Sequence, residues 1–170
     1  MSVTLSLDWL LDYSDHERRK WREWLAADPA RLQLPVQPGG RFPSVADLLD
    51  HVFLVERRHL SRLEGATPPE ATGITPGDLD ELFEFADLVR DDFRQYVSAL
   101  DDSAADEEMV VTLASGTWRT TRRALAATIV LHEIRHFAQI ALAARLAGHT
   151  PPGEHDVLFF PRTPGVDRSG

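Results

Sequence analysis

Apolar residues recur along this chain with a helical period in four separate stretches, and breaker-rich segments lie between them. The first stretch, residues 5–27, puts Leu7, Leu10, Leu11, Trp21, Trp24 and Leu25 on one stripe and stops before Pro29. Ser14, Glu17 and Arg18 interrupt that stripe. A polar gap in an apolar face is either a solvated stretch or the wall of a pocket. Residues 35–43 form a loop, after which Ser44 caps a second helix with Asp47 as a capping-box partner. The buried side of this helix reads Val45, Leu48, Leu49, Val52, Val55, Leu60 and Leu63. Residues 65–77 hold three prolines and three glycines, enough chain for a long crossover rather than a tight hairpin.

Thr75 and Pro76 are the expected N-cap and first residue of a third helix, whose stripe runs from Leu79 through Leu82, Phe83, Ala86, Val89, Phe93 and Val97 to Leu100. The acidic residues 101–108 then read as a solvated turn. Residues 109–113 and 117–120, rich in Val, Thr and Trp about Ser115-Gly116, predict a short β-hairpin. The last helix starts at Thr120 or Thr121 and stops at Gly148. Beyond it lies a proline-rich tail, residues 147–170, in which Val157 to Phe160 is the apolar patch expected to fold back. There are no internal repeats. The expectation is an all-α chain, one four-helix-bundle domain over residues 1–170, with the crossover between helices 2 and 3 and the hairpin before helix 4.

Composition narrows the class. Apolar content of 43% and charged content of 26% are those of a globular domain, and no apolar run is long enough for a membrane span. A net charge of −9 argues against a nucleic-acid partner. The N-terminal residues lack the basic start of a signal peptide, and the expected location is cytoplasmic. Cysteine is absent, which removes thiolate nucleophiles and Cys-type metal sites together.

Chemistry is concentrated in His132-Glu133-Ile134-Arg135-His136. Histidines four residues apart on a helix differ by about 40° in azimuth and roughly 6 Å in rise, so both rings can meet one cation. With Leu125, Ile129, Ile140 and Ala143, the pair lies within an arc of about 80° that faces the core. Two imidazoles buried on one ridge point to shared metal ligation. Gln139 is placed to support them as a hydrogen-bond donor, and Glu133 is open to a role as acceptor, base or packing residue. A third ligand is needed. His149 and His155 lie beyond the helix stop in a flexible proline-rich tail, and His16 falls off its stripe toward solvent, which leaves His51 and His59. Periodicity does not choose between these two, although His59 lies nearer the middle of the apolar arc and helical position alone leans towards it. The five residues also fit the zinc-peptidase pattern, but Gln139 and Leu142 stand where one peptidase class needs Gly and His, and Glu154 has no helix to carry it.

The segment D-L-L-D-H-V-F-L-V-E-R-R-H-L from Asp47, the segment L-H-E-I-R-H-F-A-Q-I from Leu131 and the hairpin before the last helix together resemble the DinB/YfiT-like family of metal-binding four-helix bundles. The resemblance implies His51, His132 and His136 as the ligand set, holding Zn²⁺ or Ni²⁺, with Mn²⁺ or Fe²⁺ as further options. Where the family's last motif commonly continues His-Arg-Gly-Gln, this chain has His136-Phe137-Ala138-Gln139. Some members of the superfamily are S-transferases or isomerases using low-molecular-weight thiols, so the resemblance implies a metal-dependent S-transferase acting on a small-molecule substrate. A non-catalytic metal-binding stress- or damage-response protein is the alternative, and a metal-dependent hydrolase a third. Homodimers are common among similar bundles.

Overall fold

A computed structural model describes residues 6–36, 40–75, 77–113 and 115–160 of the chain. Pro76, the expected first residue of the third helix, lies outside them, as do residue 5 at the start of the first stretch, residues 37–39 of the loop and residues 161–170 of the tail. The chain is mostly helical, with one small antiparallel hairpin: α1 (Leu7–Ala26), α2 (Val45–Leu63), α3 (Leu79–Ser98), the single turn α4 (Asp102–Ala105), β1 (Glu108–Leu113), β2 (Gly116–Thr121) and α5 (Arg122–Leu146). Short 3-10 turns at Pro29–Gln33 and Val157–Phe159 complete it.

Local side-chain chemistry sets the helix starts. The Ser6 hydroxyl accepts from the Trp9 N–H, and the Thr121 hydroxyl from that of Ala124. Ser44 and Asp47 form the complete reciprocal capping box that their spacing predicts. Two expectations are corrected. α3 is capped by Asp78 and opens at Leu79, not at Thr75 and Pro76, because the Asp78 carboxylate takes the free N–H of Glu81. The acidic stretch is not all solvated turn: Asp101 caps α4, which buries Ala105.

The four long helices contact one another around a ring, α1 against α3 and α5, α2 against α3 and α5. Their directions follow from the partners. His51 meets His132 and His136 while the Leu63 carbonyl accepts from Arg122, so α2 and α5 run antiparallel. Phe53 meets Phe83 and Glu56 meets Arg90, so α2 and α3 run parallel, and residues 64–78 carry the chain back along their length. The apolar interior falls into two clusters. One gathers Trp21, Leu48, Phe53, Phe83, Phe137 and Ile140, the other Leu11, Leu60, Phe93, Val111, Leu125 and Ile129.

Buried charge accompanies these two clusters. Arg18 of α1 donates through Nε to Glu133 Oε1 at 2.8 Å and through Nη2 to Glu56 Oε2 at 2.6 Å. Arg90 of α3 donates to Glu56 Oε1 and to Glu133 Oε2, each at 2.7 Å. Ser14 donates to Glu133 as well, and Arg18 Nη1 donates to the Ala86 carbonyl at 2.9 Å. Each long helix thus contributes, and the two arginines and two glutamates cancel. Burial by itself would lower the Arg90 pKa, but Glu56, Glu133 and Asp15 raise it instead. Burial would raise that of Glu133, and Arg18, Arg90 and Ser14 hold it down. The polar gap in α1 is therefore an internal feature: Ser14, Glu17 and Arg18 are all buried.

Removing one partner leaves the others uncompensated in a low-dielectric interior. Glu133→Ala is expected to cost about 3–5 kcal/mol, read as a lower urea midpoint. Arg123→Ala, which breaks exposed pairs with Asp102 and Asp106, is expected to change it by no more than about 1 kcal/mol. Equal effects from the two variants would contradict this account of the interior.

Candidate metal centre

α2 and α5 bring three imidazoles to one point. The capping box fixes the start of α2 and the Thr121 cap that of α5, and the antiparallel packing of the two sets His51 opposite the His132–His136 pair. One ring nitrogen from each of the three lies within 4.8 Å of the other two. His132 Nε2 and His136 Nε2 are 3.0 Å apart. Phe42, from the loop before α2, covers the group, its ring centroid 4.4 Å from His51 and 6.2 Å from His136.

The donor set fits a divalent cation. Nitrogens bound to one tetrahedral ion at 2.0–2.1 Å are roughly 3.4 Å apart, close to the observed His132–His136 spacing, and a His51 ring nitrogen lies within 4.8 Å of both partners. The Gln139 amide oxygen lies 2.6 Å from His136 Nδ1. A carbonyl oxygen only accepts, so Nδ1 carries the proton and the Nε2 lone pair faces the other rings. Gln139 thus acts as an acceptor rather than the donor its position suggested. The rings are also held neutral. Burial lowers His51 to about 4, helped by His136, Arg41 and Arg58. It lowers His132 to about 3, helped by His136 and His51, and lowers His136 as well. No proton has to leave these rings at neutral pH before a cation is ligated.

The remaining histidines lie elsewhere. The preference for His59 on helical position is not met: His59 is buried beside Arg62, its Nδ1 3.5 Å from Nη1, and outside the group of three. The middle of the apolar arc was a poor guide because α2 also buries Glu56, His59 and Ser61, so most of its circumference faces protein. His16 is not fully solvated but packs on Phe160, and His149 lies edge-on to Trp24. His155 is fixed rather than loose, its Nδ1 2.5 Å from Glu17 Oε2 and its ring stacked on Trp21. In the tail, Phe160 does fold back onto Trp9 and Tyr13, while Val157, Leu158 and Phe159 stay exposed.

Glu133, one residue from a histidine of the group, belongs to the ionic interior and not to the imidazoles. It is ionised and held by Ser14, Arg18 and Arg90. Its partners Glu56 and Arg90 are charged residues at buried helix positions, and nothing close to them along the chain marks their pairing. Phe42 had no signal beyond its place in a loop.

The chain belongs to the DinB family, whose model matches residues 1–164. No curated protein matches it. Among the described residues, no helix is long and apolar enough to cross a membrane.

The lowered imidazole pKa values have a consequence for acid stability. In the unfolded chain these rings take a proton near 6.5, and in the folded chain His51 does so only near 4. Between those values the unfolded state binds more protons, so stability falls as pH is lowered across the window. The metal-free protein is expected to lose melting temperature steadily from pH 7 to pH 5, and the His51→Leu, His132→Leu double variant to show a shallower loss. An unchanged slope in the double variant would refute this origin.

Proposed function

We propose that this DinB-family chain is a four-helix-bundle domain over residues 1–170 that binds a divalent metal ion, Zn²⁺ or Ni²⁺, through His51, His132 and His136, and that it acts as a metal-dependent S-transferase on a small molecule with a low-molecular-weight thiol as cosubstrate. The observation that carries this reading is the convergence of three neutral imidazole nitrogens from two helices. Three protein ligands leave a further position open, the pattern of a centre that binds substrate rather than one that is purely structural. A divalent ion held there supplies a Lewis acid that lowers the pKa of a bound thiol toward neutrality.

The protein's own residues supply binding and orientation. Gln139 fixes the tautomer and rotation of His136, and Phe42 covers the rings on one side. Glu133 is taken up by two arginines and a serine, so it is not poised to accept a proton from water at the histidines. This favours a cosubstrate that brings its own nucleophile over a hydrolase, in which a carboxylate base beside the metal is the usual partner. The absence of cysteine means that such a thiol must be external. We place the protein in the cytoplasm, and homodimer formation fits the outward side of α5, where Leu131, Leu142 and Leu146 are exposed.

Metal analysis of purified variants tests the ligand set. His51→Ala is expected to lose the bound ion and His59→Ala to keep it; the reverse result overturns the assignment. Gln139→Leu is expected to weaken metal affinity about 10–100-fold. Incubating the metal-loaded protein with a panel of small thiols and electrophiles tests the reaction: consumption of one thiol that stops on chelation is expected. Tight metal retention with no thiol consumed would instead favour a non-catalytic metal-binding role in stress or damage response.

A further inference from the structure

A cavity of about 200 Å³ lies between α1, α5 and the C-terminal tail. Its floor is apolar, made by Ile134, Phe137, Ala138 and Ala141 of α5. On an α-helix Ile134 is about 200° from His132, and Arg145 about 180° from His136. The cavity is thus on the opposite side of α5 from the three histidines and does not depend on the metal reading.

Charge around this cavity is unbalanced. Glu17 faces it from α1, but both carboxylate oxygens are engaged, Oε1 by Lys20 Nζ at 2.8 Å and Oε2 by His155 Nδ1 at 2.5 Å. It is ionised, since those two partners outweigh the effect of its burial. Arg145, in the last turn of α5, also lines the cavity, and its guanidinium has no ion-pair or hydrogen-bond partner among the described residues. A cation in the last turn suits the helix dipole wherever its head points, but here it borders an apolar hollow. His155 forms part of the wall, and its Nε2 is shut from water without a partner, an unsatisfied polar atom that a native interior seldom keeps. The tail that carries it is fastened to α1: Tyr13 donates to the His155 carbonyl, Lys20 to that of Glu154 and Trp24 to that of Thr150.

We infer that this cavity is a binding site for a small organic carboxylate with an aryl or branched apolar body, its charge on Arg145 and its body on the α5 floor. A free guanidinium beside apolar surface selects an anion with a hydrophobic portion. An amine is disfavoured, because both oxygens of the one carboxylate lining the cavity are already engaged, by Lys20 and His155. At about 30 Å³ per water, the volume suits an occupant on the order of ten non-hydrogen atoms.

Phenylacetate is a suitable probe and phenylacetamide its uncharged control. Titration into the full-length protein, followed by Trp fluorescence and by the NMR shifts of the Ala138 and Ala141 methyl groups, is expected to show saturable binding of phenylacetate. Upfield shifts of both methyls should accompany it, with about tenfold weaker binding of the amide. Arg145→Ala is expected to weaken phenylacetate by roughly tenfold, and Ala138→Trp, at an exposed position, to abolish binding while leaving the melting temperature and metal content unchanged. Binding that persists after chelation of the metal supports a site separate from the histidines. No saturation by millimolar phenylacetate, equal affinity for the amide, unmoved alanine methyls, or loss of binding on chelation would each overturn the inference.

Discussion

Two arginines and two glutamates sealed between the four long helices set the geometry on which everything else rests. Burying charge is costly, and a well-packed apolar replacement is often as stable or more so. What such a cluster supplies is direction, since its hydrogen bonds are satisfied in one arrangement and a slip of one residue would leave them unmade. This matters most for α5. With Leu131, Leu142 and Leu146 exposed and Leu125, Ile129 and Ile140 buried, α5 has apolar residues almost all round, and hydrophobic burial alone gives it little reason to prefer one rotation. Glu133, gripped by Arg18, Arg90 and Ser14, fixes that rotation. His132 and His136 then have no choice but to face α2.

The two sides of α5 consequently carry different chemistry. Toward α2 it presents imidazoles kept neutral by burial and by one another, with Gln139 setting the proton on His136. Toward α1 and the tail it presents small and apolar side chains that leave a hollow, edged by Arg145, whose guanidinium is unpaired among the described residues. The ionic cluster lies at the level of Glu133, between these two sides, and lends both its rigidity.

Short-range features were legible in the sequence and long-range partnerships were not. Ser44 with Asp47, the hairpin about Gly116 and the histidines four apart each depend on residues close along the chain, and each formed where its spacing put it. The break in the α1 stripe was visible, but its meaning required Glu133, 119 residues away. His51 and His59 could not be ranked by period because α2 is enclosed on most sides. The fastening of the tail leaves no mark in the sequence, since its anchors are backbone carbonyls of His155, Glu154 and Thr150, which any sequence could offer.

The ring of contacts also joins the beginning of the chain to its end. Ser14 finds its carboxylate on α5, Arg18 its two on α2 and α5, and Asp15 its two arginines on α3. During synthesis, α1 therefore leaves the ribosome long before its partners exist, with Arg18 uncompensated and Trp21 uncovered. Non-local contacts of this kind slow folding and lengthen the time that apolar surface stays open. Production of the protein will accordingly be most sensitive to whatever shields α1 in that interval: chaperone supply, temperature and the rate of translation.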